Sequence, residues 1–426
     1  MTRTVFSLLV FVFLTAICST APLLAQTGPL PPAFIPIEEW LNGPGRQDFP
    51  WKVRVVGPTL TLQQRQFVEV QVAIRQRDLF KDVSKRDLHF IIKVADEKGS
   101  WLAGQSYSHF IAPPDFSRGD VLRPITTLYL HPGNYTIAVV AYDAANNRGN
   151  VWRGRLLVPP LGDPLHNLDN NFPAVEFLPA LDRAAFSLLG GNGTWELSQP
   201  AALAHLLTDA LALGHGSAEL PIKNRRPVLI DVVLNLSSRP ASSYAYKQSE
   251  GALLQVGNLL SQISLEKGCV RVTAMDMFRQ EAIVDRAEAD SLNWDDIVRK
   301  VTALELNMIN VSALSDRDSA VWFEQSLERA LASGGCGLDN SSLRHVLVIV
   351  GRPFLFRPGA FLEPMARRAP NPRCYYLRYG FKGESWTEDQ IESLIEPLNP
   401  IRLEYPSPLE LRKKLAFMIT DIEGAD

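Results

Sequence analysis

The chain has 426 residues, 46% of them hydrophobic and 21% charged, with a formal net charge of −3 at pH 7. That length fits two domains of ordinary size, each with its own core. A balance so close to neutral, with acids and bases mixed, excludes a nucleic-acid or anionic-membrane surface as the organising feature, and four cysteines are too few for a disulfide scaffold.

The N-terminus reads MTRTVFSLLVFVFLTAICSTAPLLAQ: one basic residue, Arg3, an apolar core from Val5 to Ile17, and small residues ending at Ala25. This is the layout of a secretory signal peptide over residues 1–25, with cleavage expected after Ala25. A lipid anchor would need a small residue before the cysteine, and Ile17 precedes Cys18, so the expectation is a soluble exported protein, periplasmic or extracellular. Loss of Arg3 with the leader takes the formal charge from −3 to −4. No later apolar run approaches the ~20 residues that span a bilayer. Cys269, Cys336 and Cys374 then remain; they can form at most one bridge, have no zinc spacing, and read most simply as three small buried or half-buried thiols.

Residues 26–50 are rich in Pro and Gly and carry Phe34 and Trp40, which marks an extended lead-in packed on the strands after it. Over 51–160 the period is two. Val68, Val70, Val72 and Ile74 alternate with Glu69, Gln71, Ala73 and Arg75, and Leu88, Phe90, Ile92 and Val94 alternate with His89, Ile91 and Lys93. Further strands are expected at Ile125 to Leu130, Tyr135 to Tyr142 and Val151 to Val158, joined by the turns HPGN and AANNRG. Strands so spaced, with no helix between them, make a small antiparallel, immunoglobulin-like β-sandwich. Residues 161–218 read as a linker with prolines, the polar cluster His166 to Asn171, an apolar stretch Ala174 to Leu189, and a short helix from Ser198 to Leu213 closed by Gly214.

From Glu219 to the end, 219–426, strands and helices alternate. The run RPVLIDVVLNLSSRP, Arg226 to Pro240, has an unbroken apolar half and ends in two serines, an arginine and a proline. It reads as a strand buried on both faces of a parallel sheet. A helix near 246–263 comes after it, with Leu253, Val256, Leu260 and Ile263 on one face. Next are a hairpin of strands 269–276 and 280–284, and a helix capped by Asn293 that carries Trp294, Ile297, Val298 and Val301. The segment Leu306 to Leu314 precedes a helix with Phe323, Leu327, Ala330 and Leu331, then strand 344–350, a short helix near Phe361 to Ala366 and strand 374–381. The capping box Thr387 to Gln390 opens another helix, and strand 401–404 and a helix with Leu411, Leu415, Met418 and Ile422 close the chain. The grammar is that of an α/β doubly wound, Rossmann-like domain. Ligands meet such sheets at the carboxyl ends of the strands, which singles out Asn235, Ser237, Ser238 and Arg239.

That order, with HVLVIVG and CYYLRYGF as later strands, resembles a von Willebrand factor A domain over roughly 226–424. In that family a divalent metal sits at the strand ends on a DxSxS motif, a distal Thr and a later Asp. By resemblance, Asn235 stands at the Asp position, Ser237 at the first Ser and Arg239 at the second, with Arg352 near the last Asp. A hard divalent ion needs six or more oxygens, several of them carboxylate, and an adjacent guanidinium repels it. The resemblance therefore implies a degenerate site with no metal and no cofactor. An acidic group of a protein partner could instead be received by Arg239 and Arg352. The segment 352–373, RPFLFRPGAFLEPMARRAPNPR, mixes arginines with Phe354, Phe356 and Phe361 in a binding-surface composition, adding Phe354 and Arg357 to the candidates; ordinary surface ion pairs are the alternative.

Other motifs carry less. Asp231, inside the buried strand, is paired to a neighbour or belongs to a functional cluster, and its distance from the strand end favours the first. The seven histidines never fall at i, i+4 or beside a Glu motif, so each reads as incidental. GGNGT at 190–194 lacks the Lys-Ser/Thr of a phosphate loop and reads as a turn, no GxSxG elbow or ordered triad is present, and Cys336 in SGGCGLD has no placed His. These features together describe an exported, non-catalytic protein, not an enzyme, that binds a protein partner without metal. The alternatives are an exported hydrolase with a scattered site and a self-associating structural protein of the envelope.

Overall fold

The computed structural model describes residues 31–79, 87–111, 121–162, 165, 173–178, 219–237, 244–277, 279–306, 316–332, 336–337, 343–354, 365, 372–380 and 389–424. The expected helix 198–213, the turn 190–194, the segment after Leu306 and all but Met365 of the expected helix 361–366 lie outside these residues. The described part is rich in β-sheet, with helices concentrated in its C-terminal half.

The lead-in is not wholly extended: Ile37–Asn42 form a helical turn and a half (α1). Beyond it lie two antiparallel sheets. One joins β1 (Lys52–Leu60), β2 (Gln66–Arg75), β5 (Val121–Leu122), β6 (Ile125–Leu130) and β9 (Val175–Phe177); the other runs in the order β4 (Ser106–Ile111), β3 (Asp87–Ala95), β7 (Gly133–Asp143), β8 (Arg148–Val158). Strand alternation directs Val68, Val70, Val72 and Ile74 of β2 and Leu88, Phe90, Ile92 and Val94 of β3 into one shared core. The outer face of the second sheet is covered by Ile35 and Leu41, which cluster with Ile91, Val140 and Tyr142.

The sequence pattern leaves the opposite face of β2 polar and hence open to water, but Glu69 and Gln71 are buried. They bond to each other, and on the same sheet Arg65 pairs with Glu176 of β9 at 2.5 Å while stacking over Tyr129. Polar side chains tolerate burial when partnered, so alternation alone did not fix which face meets solvent. The turn before β2 also reaches the C-terminal half, where Gln64 Nε2 donates to the carbonyl of Pro408 at 3.0 Å.

The C-terminal half contains a two-stranded parallel pair, β10 (Leu220–Ile222) with β12 (Ile263–Leu265), and a six-stranded sheet. The sheet is built from β11 (Val228–Asn235), β13 (Gly268–Asp276), β14 (Glu281–Glu288), β15 (Arg344–Gly351), β16 (Arg373–Tyr379) and β17 (Ile401–Tyr405), in spatial order β14-β13-β11-β15-β16-β17. All pairings are parallel except β13 with β14. Helices α2 (Tyr244–Ser261), α3 (Trp294–Leu306) and α6 (Pro408–Gly424) cover one face, packing on Val228, Ile230, Val232 and Leu234. Helices α4 (Asp316–Leu331) and α5 (Gln390–Ile395) cover the other, packing on Val233, Leu347 and Ile349.

Strand β11 is therefore buried on both sides, and its six aliphatic side chains from Val228 to Leu234 are 0% exposed. At about 1.5–3 kcal/mol each they make it the most heavily committed apolar element of the sheet. Two glycines permit its close approaches. Gly268 opens β13 at φ +137°, where a Cβ would lie 1.9 Å from the Val228 carbonyl oxygen, and a Cβ on Gly257 of α2 would lie 2.3 Å from Leu234 Cδ1.

Helix α3 begins as expected after Asn293, whose Oδ1 accepts the Asp296 N–H at 3.2 Å. Three expectations are corrected: Ile263 is in β12 and not on the α2 face, strand 280–284 extends to Glu288, and α5 begins at Gln390, so Gln390 is its first residue and not the third position of a capping box. The reading of three free thiols also fails, because Cys269 of β13 and Cys336 are joined with a Cα–Cα distance of 6.3 Å. Closing 67 residues of sequence separation stabilises by roughly 4 kcal/mol on loop entropy. Cys374 is free and buried, and burial pushes its thiol up to about 12.

The chain from Gln26 onward should give no reactive thiol with Ellman's reagent when native, one per chain in denaturant without reductant, and three after reduction. Three thiols in unreduced denaturant would rule out the bridge.

Candidate functional site

Chain order in the six-stranded sheet runs backwards from β11 to β14 and forwards from β15 to β17. The change of direction falls between β11 and β15, and the crevice outside the carboxyl ends of two such strands is where open sheets of this kind meet ligands. Asn235 ends β11 and Gly351 ends β15. The two are in contact range, since a Cβ on Gly351 would sit 3.4 Å from Asn235 Cβ.

At that crevice the polar end of β11 closes on itself. Asn235 Oδ1 accepts the Ser237 backbone N–H at 3.1 Å and also the Ser237 hydroxyl. Ser237 Oγ in turn accepts the Met277 N–H at 2.6 Å, and the Leu236 N–H donates to the Met275 carbonyl at 2.8 Å. Asn235 is 2% exposed. The loop after β11 is thereby tied to the loop after β13 by the atoms that would otherwise face a ligand.

The residues present do not fit the hard divalent ion of the family that the sequence resembles. Asn235 supplies a neutral amide in place of a carboxylate, its oxygen already has two donors, and the Ser237 hydroxyl is engaged as donor and acceptor.

The next strand end is a second knot. The carbonyl of Arg352, just past β15, accepts the Tyr376 hydroxyl at 3.2 Å. Asp389, before α5, accepts the Phe354 N–H at 3.2 Å through Oδ1 and the Tyr376 hydroxyl at 3.0 Å through Oδ2, and the Phe354 carbonyl accepts the Gln390 N–H at 2.9 Å. Burial raises the Asp389 carboxyl above its ordinary value, against the lowering effect of the Phe354 N–H, the Tyr376 hydroxyl and Arg378.

Of the sequence candidates, the structure places Asn235, Ser237 and Arg352 at neighbouring strand ends. Phe354 is corrected: it is 6% exposed and belongs to the core with Met365, Tyr376 and Leu394, because its backbone is clamped onto α5. Ser238, Arg239 and Arg357 lie outside the described residues.

Asp231 has a structural partner set. Arg271 of β13 grips it with Nε and Nη2 at 2.7 Å each, and His345 of β15 brings Nε2 within 2.5 Å of Oδ2. Arg271 also donates to the Ala330 carbonyl of α4 at 3.2 Å. Sequence reasoning also missed a group of ligand-type side chains: His89 and His109 face each other across β3 and β4 beside Asp87. Burial lowers the His89 value, the Asp87 carboxylate opposes that shift, and His109 adds to it. The signal lay in the i, i+2 spacing of Asp87 and His89 on a strand, where a search for i, i+4 pairs does not look.

No family model matches the chain, and no curated protein matches it. Among solved structures, the chain is similar to a calcium-binding mutant of β-glucuronidase 2 from Bacteroides uniformis at TM-score 0.19 and 8% identity, covering 70% of this chain and 34% of that one. A glycosyl hydrolase family 2 member from Bacteroides cellulosilyticus gives TM-score 0.20 and 8% identity over 83% of this chain and 45% of the other. An exo-chitosanase of Amycolatopsis orientalis gives 0.15 and 11% over 72% and 28%. The chain thus spans less than half the length of each neighbour, and likenesses at this level carry no argument about fold or chemistry.

Removing one member of a buried ion pair strands the other, which typically costs 3–5 kcal/mol. Asp231→Ala should lose about that much in denaturant unfolding. The paired replacement Asp231→Leu with Arg271→Met should recover much of it. A loss below about 1 kcal/mol for Asp231→Ala would show that the pair holds nothing in place.

Proposed function

We propose that the chain is an exported, non-catalytic binding protein in which an immunoglobulin-like sandwich precedes a von Willebrand A-like, doubly wound domain whose strand ends meet a protein partner without a metal. Export rests on the signal-peptide layout of residues 1–25. The domain reading is supported by the spatial order β14-β13-β11-β15-β16-β17 with an antiparallel β14, and by helices on both faces of that sheet. Among the described residues no helix is long and apolar enough to cross a membrane.

The observation that carries the reading is the closed end of β11. Asn235, Ser237 and Met277 satisfy one another at the crevice where a ligand would be expected. Among the described residues this end offers no activated nucleophile and no carboxylate cage; it offers a hydrogen-bonded rim. Arg352 lies half-buried beside that rim, and arginine is the residue type suited to the planar, bidentate recognition of a carboxylate. The partner surface is accordingly expected to be acidic. Phe354 contributes by fixing the rim from inside the core, and Arg239 and Arg357 enter the proposal through the sequence alone.

Crosslinking in the native compartment should capture an acidic protein partner with the wild-type chain. Arg352→Glu should reduce capture at least tenfold, since like charges facing each other cost several kcal/mol at an interface, and Arg352→Lys, which keeps the charge, should retain most of it at a similar unfolding midpoint. Equal capture by wild type and Arg352→Glu, or a small-molecule turnover abolished by one point mutation, would contradict the reading.

A further inference from the structure

Far from the β11 crevice, three ligand-type side chains converge on the outer face of the second sandwich sheet. Asp87 and His89 lie two residues apart on β3 and so share a face; His109 on β4 is the direct cross-strand partner of His89. Asp87 Oδ1 stands 3.1 Å from His89 Nε2 and 2.5 Å from His109 Nε2. The ligand atoms of all three residues lie within 4.8 Å of one another. The two imidazoles stack at 4.6 Å with planes 4° apart.

The second observation concerns the inner histidine. His89 is 3% exposed, its Nδ1 is 2.9 Å from the Tyr107 hydroxyl, and its buried Nε2 makes no hydrogen bond. In the tautomer that donates Nδ1–H to Tyr107, Nε2 keeps a lone pair 3.1 Å from an Asp87 carboxylate oxygen, a second acceptor with which it makes no hydrogen bond. A nitrogen so placed costs free energy unless a cation joins the pair. A partner that takes one ring N–H and so leaves the lone pair of the other nitrogen free is the arrangement that supports a metal-ligating histidine.

We propose that Asp87, His89 and His109 bind one divalent transition-metal ion, of which zinc is the representative. Two imidazole nitrogens and one carboxylate oxygen suit a borderline ion and not calcium or magnesium, which take oxygen shells. Bonds of ~2.0–2.1 Å in tetrahedral geometry separate neighbouring ligand atoms by roughly 3.3 Å. The 3.1 Å separation of Asp87 and His89 already matches this; because the two imidazole planes are parallel and a shared ion must lie near both, the partly exposed His109 ring must turn as well as open from 2.5 Å to ligate. Phe34 of the lead-in packs edge-on against His89 with ring centroids 5.7 Å apart, and Tyr142 lies 6.2 Å from both rings. These rings wall the inner side and leave the outer coordination position to solvent or to a donor from another molecule. Because Phe34 belongs to the lead-in, metal binding would also pin that segment to the sheet.

The test is calorimetric titration of the chain from Gln26 onward, stripped with chelator, using Zn²⁺, with Co²⁺ absorption as a second readout. Wild type should take up one equivalent, and Mg²⁺ in excess should not compete. His109→Gln and Asp87→Asn, both at partly exposed side chains, should each weaken Zn²⁺ at least tenfold and abolish the visible Co²⁺ bands, with unchanged circular dichroism. Tyr107→Phe should weaken binding through the tautomer of His89. Absence of a saturable equivalent in wild type, or wild-type affinity in both His109→Gln and Asp87→Asn, would overturn the proposal.

Discussion

The buried contact between Asp231 and Arg271 governs the C-terminal half. Both side chains are about 3% exposed, and neither can be accommodated there alone. Asp231 stands opposite Arg271 in the β11–β13 register and opposite Leu347 in the β11–β15 register. His345, two residues earlier on β15, completes the set. A slip of one residue would turn every side chain of a strand to the other face and would break this contact with its paired hydrogen bonds. The apolar residues make β11 central, and the ion pair forms in this register and not in one shifted by a residue.

That alignment sets the geometry four residues later. Asn235 ends beside Gly351 and above the loop leading to Met277, so that its amide oxygen, the Ser237 hydroxyl and the Met277 N–H meet. A carboxylate at position 235 with free serine hydroxyls around it would gather oxygen ligands. An amide with an engaged hydroxyl gathers hydrogen bonds instead, and the strand end becomes part of the scaffold. Tyr376, reaching from β16 to both Arg352 and Asp389, does the same for the next pair of strand ends. Both strand ends are therefore held by hydrogen bonds up to Ser237 and Phe354.

Much of this was legible in the residues. The apolar run of β11, the Asn293 cap, the face of α6 from Leu411 to Ile422 and the alternation of β2 and β3 follow from local periodicity and end chemistry, and they recur in the structure within a few residues. The features that were not legible depend on long-range placement. Asp231 announced the need for a partner but not which strand would supply it. Cys269 and Cys336 are 67 residues apart with no spacing signal. The aromatic and arginine mixture after β15 resembles a binding surface in composition, yet Phe354 is buried because Asp389 and Gln390 hold its backbone. His109 reaches His89 only through the β3–β4 register, which no single strand encodes.

Whether the β11 end, closed by its own hydrogen bonds, takes a hard cation is decided by calorimetric titration of the chain from Gln26 onward with Mg²⁺ and Ca²⁺ to millimolar concentration. Neither wild type nor Ser237→Ala should show saturable heat or a rise in unfolding temperature. One equivalent of either ion bound by wild type and lost in Ser237→Ala would contradict that closure.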